Sequence, residues 1–281
     1  MRILLTNDDG IQAPGIAAIY DELRRMPQVS EVFVVAPLTV QSATGHGITY
    51  HEPLMIEATK VSETMSGIAV DGRPADCVKL AISQLWPERF GKDASGKPAR
   101  PDLVISGINS GANCGINVIY SGTVAAAIEA AFLGVPSIAL SMLRGRLNQR
   151  FEIAAEWSRA VLEKILPPKG QPAGASTPRA HECLSINFPL AEGDGPRSSY
   201  PAMPPVRVCP MNTHGLMDKY DRRTSPFGGT YYWAAGHGLD FHARDPGTDV
   251  ALLLEGCITV TPLQYDLTDR ASLERWAKVI G

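Results

Sequence analysis

The chain has 281 residues, 44% hydrophobic and 20% charged. That is enough apolar material for a packed core of one large or two small domains, and it excludes a disordered chain. With 26 Lys and Arg against 29 Asp and Glu, the net charge is −3, which argues against a protein that coats nucleic acid or lies on an anionic membrane.

Taken in chain order, Arg2–Thr6 is a short apolar run that predicts a buried strand. A turn follows at residues 7–10. Pro14 opens a helix with Ile16, Ile19, Tyr20 and Leu23 at helical spacing, and Pro27 ends it. Residues 32–36 read as a second buried strand and complete a βαβ unit. Residues 48–50, 54–58 and 65–70 predict strands inserted after that unit. Pro74 opens a helix through Leu85, and 90–100 is a surface loop. A third buried strand is expected at 103–106, a glycine-rich loop at 107–122, an Ala-rich helix at 123–132, a fourth strand at 137–141 and an amphipathic helix at 152–165. This alternation predicts an α/β fold, a Rossmann-like, mostly parallel doubly wound sheet. Residues 167–178 have linker composition, and 183–187 resemble one more strand. Residues 189–247 are rich in Pro, Gly and aromatics. There Gly228-Gly229, ahead of Thr230 to Trp233, predicts a β-hairpin arm. Apolar runs at 251–254 and 257–260 and a terminal helix at 273–280 close the chain. No apolar run is long enough to cross a bilayer. Two aspartates interrupt any secretory signal core, and the five scattered cysteines form no Cys-x-x-Cys. The expectation is a cytoplasmic protein with reduced, buried thiols.

Four segments carry chemistry. Asn7-Asp8-Asp9-Gly10 ends the first strand, at the edge where open α/β sheets bind ligands. Neighbouring strand side chains point to opposite faces, so the carboxylates converge only where the backbone turns, as Gly10 permits. Paired carboxylates need a cation or a proton between them, and oxygen donors select Mg, Mn or Ca. The dipeptide alone also fits an Asx turn with an aspartate cap. Ser106 to Gly115 has glycines at 107, 111 and 115 and matches neither a dinucleotide fingerprint nor a P-loop. Small residues there let backbone amides approach a phosphate, and Asn109 and Asn113 offer neutral oxygens; alone it reads equally as an ordinary loop. Ser121 or Thr123 can cap the next helix and leave its positive end, a ready phosphate site, facing that loop. In Gln41 to Gly47, Ser42 can ligate a metal and His46 can act as acid or base, or simply be a solvated loop residue. His181, His214, His237 and His242 show no metal-ligand spacing with a carboxylate, and His51 is read as structural.

Together these segments resemble the SurE survival-protein family of metal-dependent nucleotide phosphatases. The resemblance rests on Leu4 to Ile11 with Pro14-Gly15-Ile16, Val35-Ala36-Pro37 with Gln41-Ser42, and Val70 to Val78. It continues through Ser106 to Gly115, Tyr120 to Ala127 and Gly134 to Ser137. It covers residues 1–140, and Asn187-Phe188-Pro189 and Tyr231-Tyr232-Trp233 extend it more weakly. It implies a 5′-nucleotidase, in a family that works as 5′- and 3′-nucleotidases, often on nucleoside monophosphates and sometimes on short polyphosphate. It implies a dimer or tetramer with exchanged C-terminal segments. It places one divalent ion per subunit, Mg, Mn or similar, on Asp8, Asp9, Ser42 and Asn109. Two departures stand out: Asn117 where the family commonly has Asp, and Thr224 to Gly229 where it has a basic Asp-Pro-Arg-Gly stretch.

The expected reaction is attack on the phosphate by water activated on the ion, in preference to a carboxylate that is itself a ligand. Asp8, Asp9 and His46 are the expected catalytic residues. Asn7, Ser106, Gly107, Ser121, Gly122 and Thr123 are the expected phosphate and substrate contacts. Rival readings are a non-catalytic nucleotide sensor and a metal-dependent hydrolase of another bond on the same scaffold. The expected organisation is a catalytic α/β domain over 1–188, closed by a helix at 270–280. An extension over 189–255 carries the hairpin arm, whose Tyr231, Tyr232 and Trp233 suit an oligomer contact.

Overall fold

The structure, a computed structural model, describes residues 1–171, 177–235 and 238–281. Part of the 167–178 linker and His237 therefore lie outside the described residues. The first strand, β1 (Arg2–Thr6), is buried from Ile3 to Thr6, as a central parallel strand covered on both faces must be. Helix α1 (Pro14–Arg25) buries Ile16, Ile19, Tyr20 and Leu23, the stripe its spacing predicts, and carries Arg24 and Arg25 at its negative C-terminal end. Strand β2 (Glu31–Pro37) pairs parallel to β1. Of the inserted strands, β4 (Ser66–Asp71) joins β2 in parallel, and β3 (Met55–Lys60) adds an antiparallel edge.

Residues 48–50 form no strand. Thr49 instead donates its amide and hydroxyl to the buried Asp76 carboxylate, at 2.9 and 2.7 Å, so side chains hold this stretch in place of a ladder. Asp76 also accepts the Arg73 amide at 3.0 Å and so caps α2 (Pro74–Leu80). A π-helical turn, Ala81–Leu85, carries the chain into α3 (Trp86–Phe90). Strand β5 (Leu103–Ser110) runs four residues past its expected end, because a register shift between Ser106 and Asn109 lets it resume pairing with the next strand beyond Gly107. A 3-10 turn, Gly115–Tyr120, leads to α4 (Gly122–Phe132), β6 (Ser137–Met142), α5 (Phe151–Ile165) and β7 (Cys183–Phe188). Then come β8 (Val206–Val208), the hairpin β9 (Tyr220–Thr224) and β10 (Thr230–Ala234), α6 (Asp249–Leu254), β11 (Ile258–Leu263) and α7 (Arg270–Ile280).

The main sheet has nine strands in the order β3-β4-β2-β1-β5-β6-β7-β11-β8. Only the β3–β4 and β7–β11 pairs are antiparallel. From β1 the chain builds outward through β2 and β4, then returns to β5 and builds the other way. The order therefore reverses between β1 and β5, and such a reversal opens a crevice at the C-terminal strand ends. Alternation along β1 serves two cores: Ile3 and Leu5 face α1 and α5, whereas Leu4 faces the cluster with Val78 and Trp86. Trp86 and Trp157 are the largest fully buried side chains, one on each face. In contrast, α7 buries none of its residues, and every residue of β9 and β10 is exposed. All five cysteines are free and buried. Among the described residues no helix is long and apolar enough to cross a membrane.

Candidate active site

The turn after β1 is built by its own side chains. Asn7 Nδ2 donates to the Gly10 carbonyl at 2.8 Å. Gly10 takes φ +93°, a left-handed backbone conformation that calls for glycine. The turn sends the two carboxylates to different partners. Buried Asp8 accepts the Thr123 hydroxyl on Oδ1. Gly122, at the start of α4, packs so closely that a Cβ there would sit 2.8 Å from the Asp8 Cβ. Asp9 Oδ2 accepts the Ser110 amide from the end of β5 at 2.8 Å. The pair thus bridges the crevice between β1 and β5.

Charge is costly at this place. Burial pushes the Asp8 carboxyl up to about 6; the Thr123 hydroxyl opposes the rise and the Asp9 charge adds to it. Asp9 is also raised by burial, against the Ser110 amide and the positive charge of Arg144. Around the pair, Thr6 Oγ1, Asn7 Oδ1 and Ser106 Oγ are buried without a hydrogen-bond partner, and Thr6 and Ser106 are paired across β1 and β5. Two carboxylates that resist ionising, beside orphaned oxygens, fit a hard cation. Among the described residues no three His, Cys, Asp or Glu side chains gather as a metal cluster. A cation here takes two carboxylates and neutral oxygens, a set suited to Mg or Mn.

The other expected ligands flank this pair. Asn109 Nδ2 donates to the Gly111 carbonyl at 2.8 Å, which leaves Oδ1 as its acceptor. Ser42 is exposed and follows Gln41, whose amide donates to the Asp8 carbonyl at 2.8 Å. Gly107 has φ +132°, and a Cβ there would meet the Leu140 carbonyl oxygen at 2.1 Å, so β5 and β6 approach as only glycine allows. Ser121 caps α4, its Oγ accepting the Val124 amide at 3.1 Å. The helix start thus lies against Asp8 with Gly122 and Thr123 in its first turn.

His46 takes a different place. Its Nε2 lies 2.8 Å from Glu129 Oε2 in the middle of α4, and Lys79 of α2 donates to Glu129 Oε1 at 2.9 Å. Burial raises the Glu129 carboxyl, but His46 and Lys79 outweigh it, and the net position is below the usual range. No hydrogen bond joins His46 to Asp8 or Asp9 among the described residues.

Several residues of this region have partners that no motif announces. Ser110 Oγ donates to Gln149 Oε1. Asn113, a candidate oxygen donor by sequence, is tied on both sides: its amide donates to Asn187 Oδ1 at 2.8 Å and its Nδ2 to Ser141 Oγ at 2.9 Å. Asp249 accepts the Gly115 and Asn212 amides at 2.7 and 2.8 Å and holds the glycine-rich segment to the C-terminal region. Asn117 Nδ2 donates to the Gly238 carbonyl. These partners lie up to 134 residues apart, so no local spacing announces them.

The chain resembles known proteins in sequence and in fold. A family model described as Survival protein SurE matches residues 3–215. The protein named 5′-nucleotidase SurE of Heliobacterium modesticaldum is 42% identical over 282 residues, covering 100% of this chain and 92% of that one. Its namesake in Rhodopirellula baltica is 41% identical over 268 residues, covering 95% and 94%. The crystal structure of the SurE protein from Aquifex aeolicus superposes with a TM-score of 0.74 at 31% identity, covering 99% of both chains.

Proposed function

The chain belongs to the SurE survival-protein family, and from that premise we propose that it is a 5′-nucleotidase, a phosphoric monoester hydrolase that releases phosphate from nucleoside 5′-monophosphates. The observation that carries this reading is the convergence of Asp8, Asp9 and the start of α4 at the point where strand order reverses. Asp8, Asp9, Ser42 and Asn109 would hold one divalent ion, Mg or Mn. When bound, that ion supplies positive charge to the phosphate oxygens and acidity to water.

The protein's own groups do the rest. The amides at the start of α4 offer the positive end of the helix to the phosphate. Ser106, its hydroxyl unpartnered, donates to a phosphoryl oxygen. Thr123 fixes the rotamer of Asp8, and the Ser110 amide fixes Asp9, so neither carboxylate must reorganise as charge develops. His46, oriented through Glu129, keeps Nδ1 for the substrate or its leaving oxygen. Nucleoside 3′-monophosphates fit the same phosphate site.

The hairpin arm and α7 expose Phe227, Tyr231, Tyr232, Trp233, Leu273, Trp276, Val279 and Ile280. That much uncovered apolar surface suits contacts with further copies of this chain, in a dimer or tetramer. Five free thiols suit a reducing cytoplasm.

The test is phosphate release from AMP and from 3′-AMP with Mn, with Mg and with EDTA. We expect release that EDTA abolishes. AMP binding without release would indicate a sensor, and release from neither nucleotide with either ion would overturn the proposal.

A further inference from the structure

We propose that Arg144 contacts the substrate phosphate, its guanidinium holding a non-bridging oxygen of the phosphoryl group. The inference rests on the nucleotidase reading and adds to it the side chain that meets the anion's charge.

Placement comes first. Ser141 and Met142, which end β6, pair with Asn109 and Ser110 of β5. Ser110 is the residue whose amide holds Asp9. Arg144 follows two positions later, so its loop leaves the sheet beside Asp9 at the ligand-binding edge.

The loop is also built to stay put. The Leu143 amide donates to the Phe188 carbonyl at 2.9 Å, and the Arg150 amide to that of Ala191 at 2.9 Å. The Leu147 amide donates to Glu192 Oε2 at 2.8 Å. Gly145 packs so tightly on Glu192 that a Cβ would meet the carboxylate at 2.0 Å.

Within this fixed loop the arginines have different fates. Arg150 is spent on Glu152 and on the Gly195 carbonyl at 2.6 Å. Arg144 is exposed and, among the described residues, has neither an ion pair nor a hydrogen bond. A guanidinium without a protein partner, in a fixed loop at the edge that carries the carboxylate pair, is free to meet an anion bound there.

Charge balance names that ligand. Two carboxylates and a divalent ion sum to zero. A phosphate monoester brings nearly two further negative charges, and a helix N-terminus offsets only about half of one. A guanidinium supplies a full charge and a planar fork that matches two phosphate oxygens. Arg144 should therefore attract the substrate and repel the metal, two effects of opposite sign on a single residue.

Titration calorimetry separates them: Mn into the metal-free protein, then inorganic phosphate into the Mn-loaded protein. Wild type is compared with Arg144→Ala, Arg144→Lys and, as a control two positions along the same loop, Arg146→Ala. We expect Arg144→Ala to bind phosphate about tenfold or more weakly, as loss of a charge-assisted bond implies, and to bind Mn at least as tightly as wild type. Arg144→Lys should fall between, keeping the charge without the fork, and Arg146→Ala should match wild type. Phosphate affinity unchanged in Arg144→Ala would overturn the inference. So would a parallel loss of phosphate and Mn affinity, the mark of a loop that only supports the site. Wild type that binds both ligands yet releases nothing from AMP would sink the nucleotidase reading while the Arg144 comparison stands. Wild type that binds no phosphate with Mn present would sink the inference itself.

Discussion

Burial makes the charged form of Asp8 costly. Its folded carboxyl is raised to about 6, mainly by burial, above the ordinary value of about 3.9. A raised acid contributes stability that is complete below the unfolded value and is lost as pH rises through the folded one. In metal-free protein, the stability that protonated Asp8 contributes is therefore complete below about pH 4, is lost between about pH 4 and 6, and the loss levels off above that. Asn is neutral at every pH and still accepts the Thr123 hydroxyl. Metal-free Asp8→Asn should match wild type near pH 4 and exceed its Tm at pH 8 by about 2 °C or more, read by calorimetry. The same variant should lose about a hundredfold or more in kcat/KM, since charge at such a site is commonly worth about 3 kcal/mol. Equal Tm values at pH 8, or a near-wild-type rate with Mn, would contradict the account. Ser42 and His46 part company under excess Mn. Ser42→Ala should recover most of its activity, because a neutral ligand contributes affinity first. His46→Ala should not recover, because its partner is Glu129 of α4. The Asp8-Asp9 pair and Asn109 were legible because each lies in a compact motif at a strand end. Arg144, Glu129 and Ser110 were not, because their importance comes only from partners that folding brings from elsewhere, such as Asp9, 101 residues from Ser110.

Helix α4 gives the element-scale lesson. Its existence, cap and approximate start follow from Tyr120 to Ala127, but its seat against Asp8 does not. Two effects of opposite sign meet at Gly122. Alanine is the better helix former by about 1 kcal/mol, yet its Cβ would press within 2.8 Å of the Asp8 Cβ and 3.0 Å of Pro74 Cγ. Overpacking of this kind typically costs about 1–3 kcal/mol, so the clash wins. Gly122→Ala should lower Tm and, by shifting Thr123 away from Asp8, cut kcat/KM by about tenfold or more. A stabilised, fully active variant would show that α4 does not position the carboxylate. The turn before α4 tolerates more. Asn117 points its amide at the Gly238 carbonyl, so Asn117→Asp loses a surface contact and should leave kcat/KM within about tenfold. Strand β5 was underread for a reason of the same kind. Glycines at 107 and 111 read as loop, whereas the close approach to Leu140 that requires Gly107 also lets pairing resume beyond it. Residues 48–50 have a β-like composition yet form no strand, because Thr49 bonds the Asp76 side chain in place of a ladder.

At the scale of the molecule, alternating strands and helices made the doubly wound sheet readable, and Gly228-Gly229 made the hairpin readable. The place of β11 between β7 and β8 was not, since a short apolar run does not state its neighbours. The hairpin packs so little on its own subunit that removing residues 221–238 should leave the melting transition of the sheet in place while lowering the molar mass by light scattering. Unchanged mass would take the arm out of the interface. The order of strands also sets a timetable for the growing polypeptide. Among the described residues strand β8 pairs only with β11, which the ribosome makes roughly fifty residues later, a wait of about 3–10 s at ordinary synthesis speeds. The groups that gather around Asp8 and Asp9 all precede Phe151 and can assemble before this interval begins. Through those seconds the nascent chain holds a nearly finished phosphate site beside the bare flank of β7, an open template for any passing strand. The hazard in this protein's birth lies there, in a gap between two strands made in the opposite order to their neighbours' need.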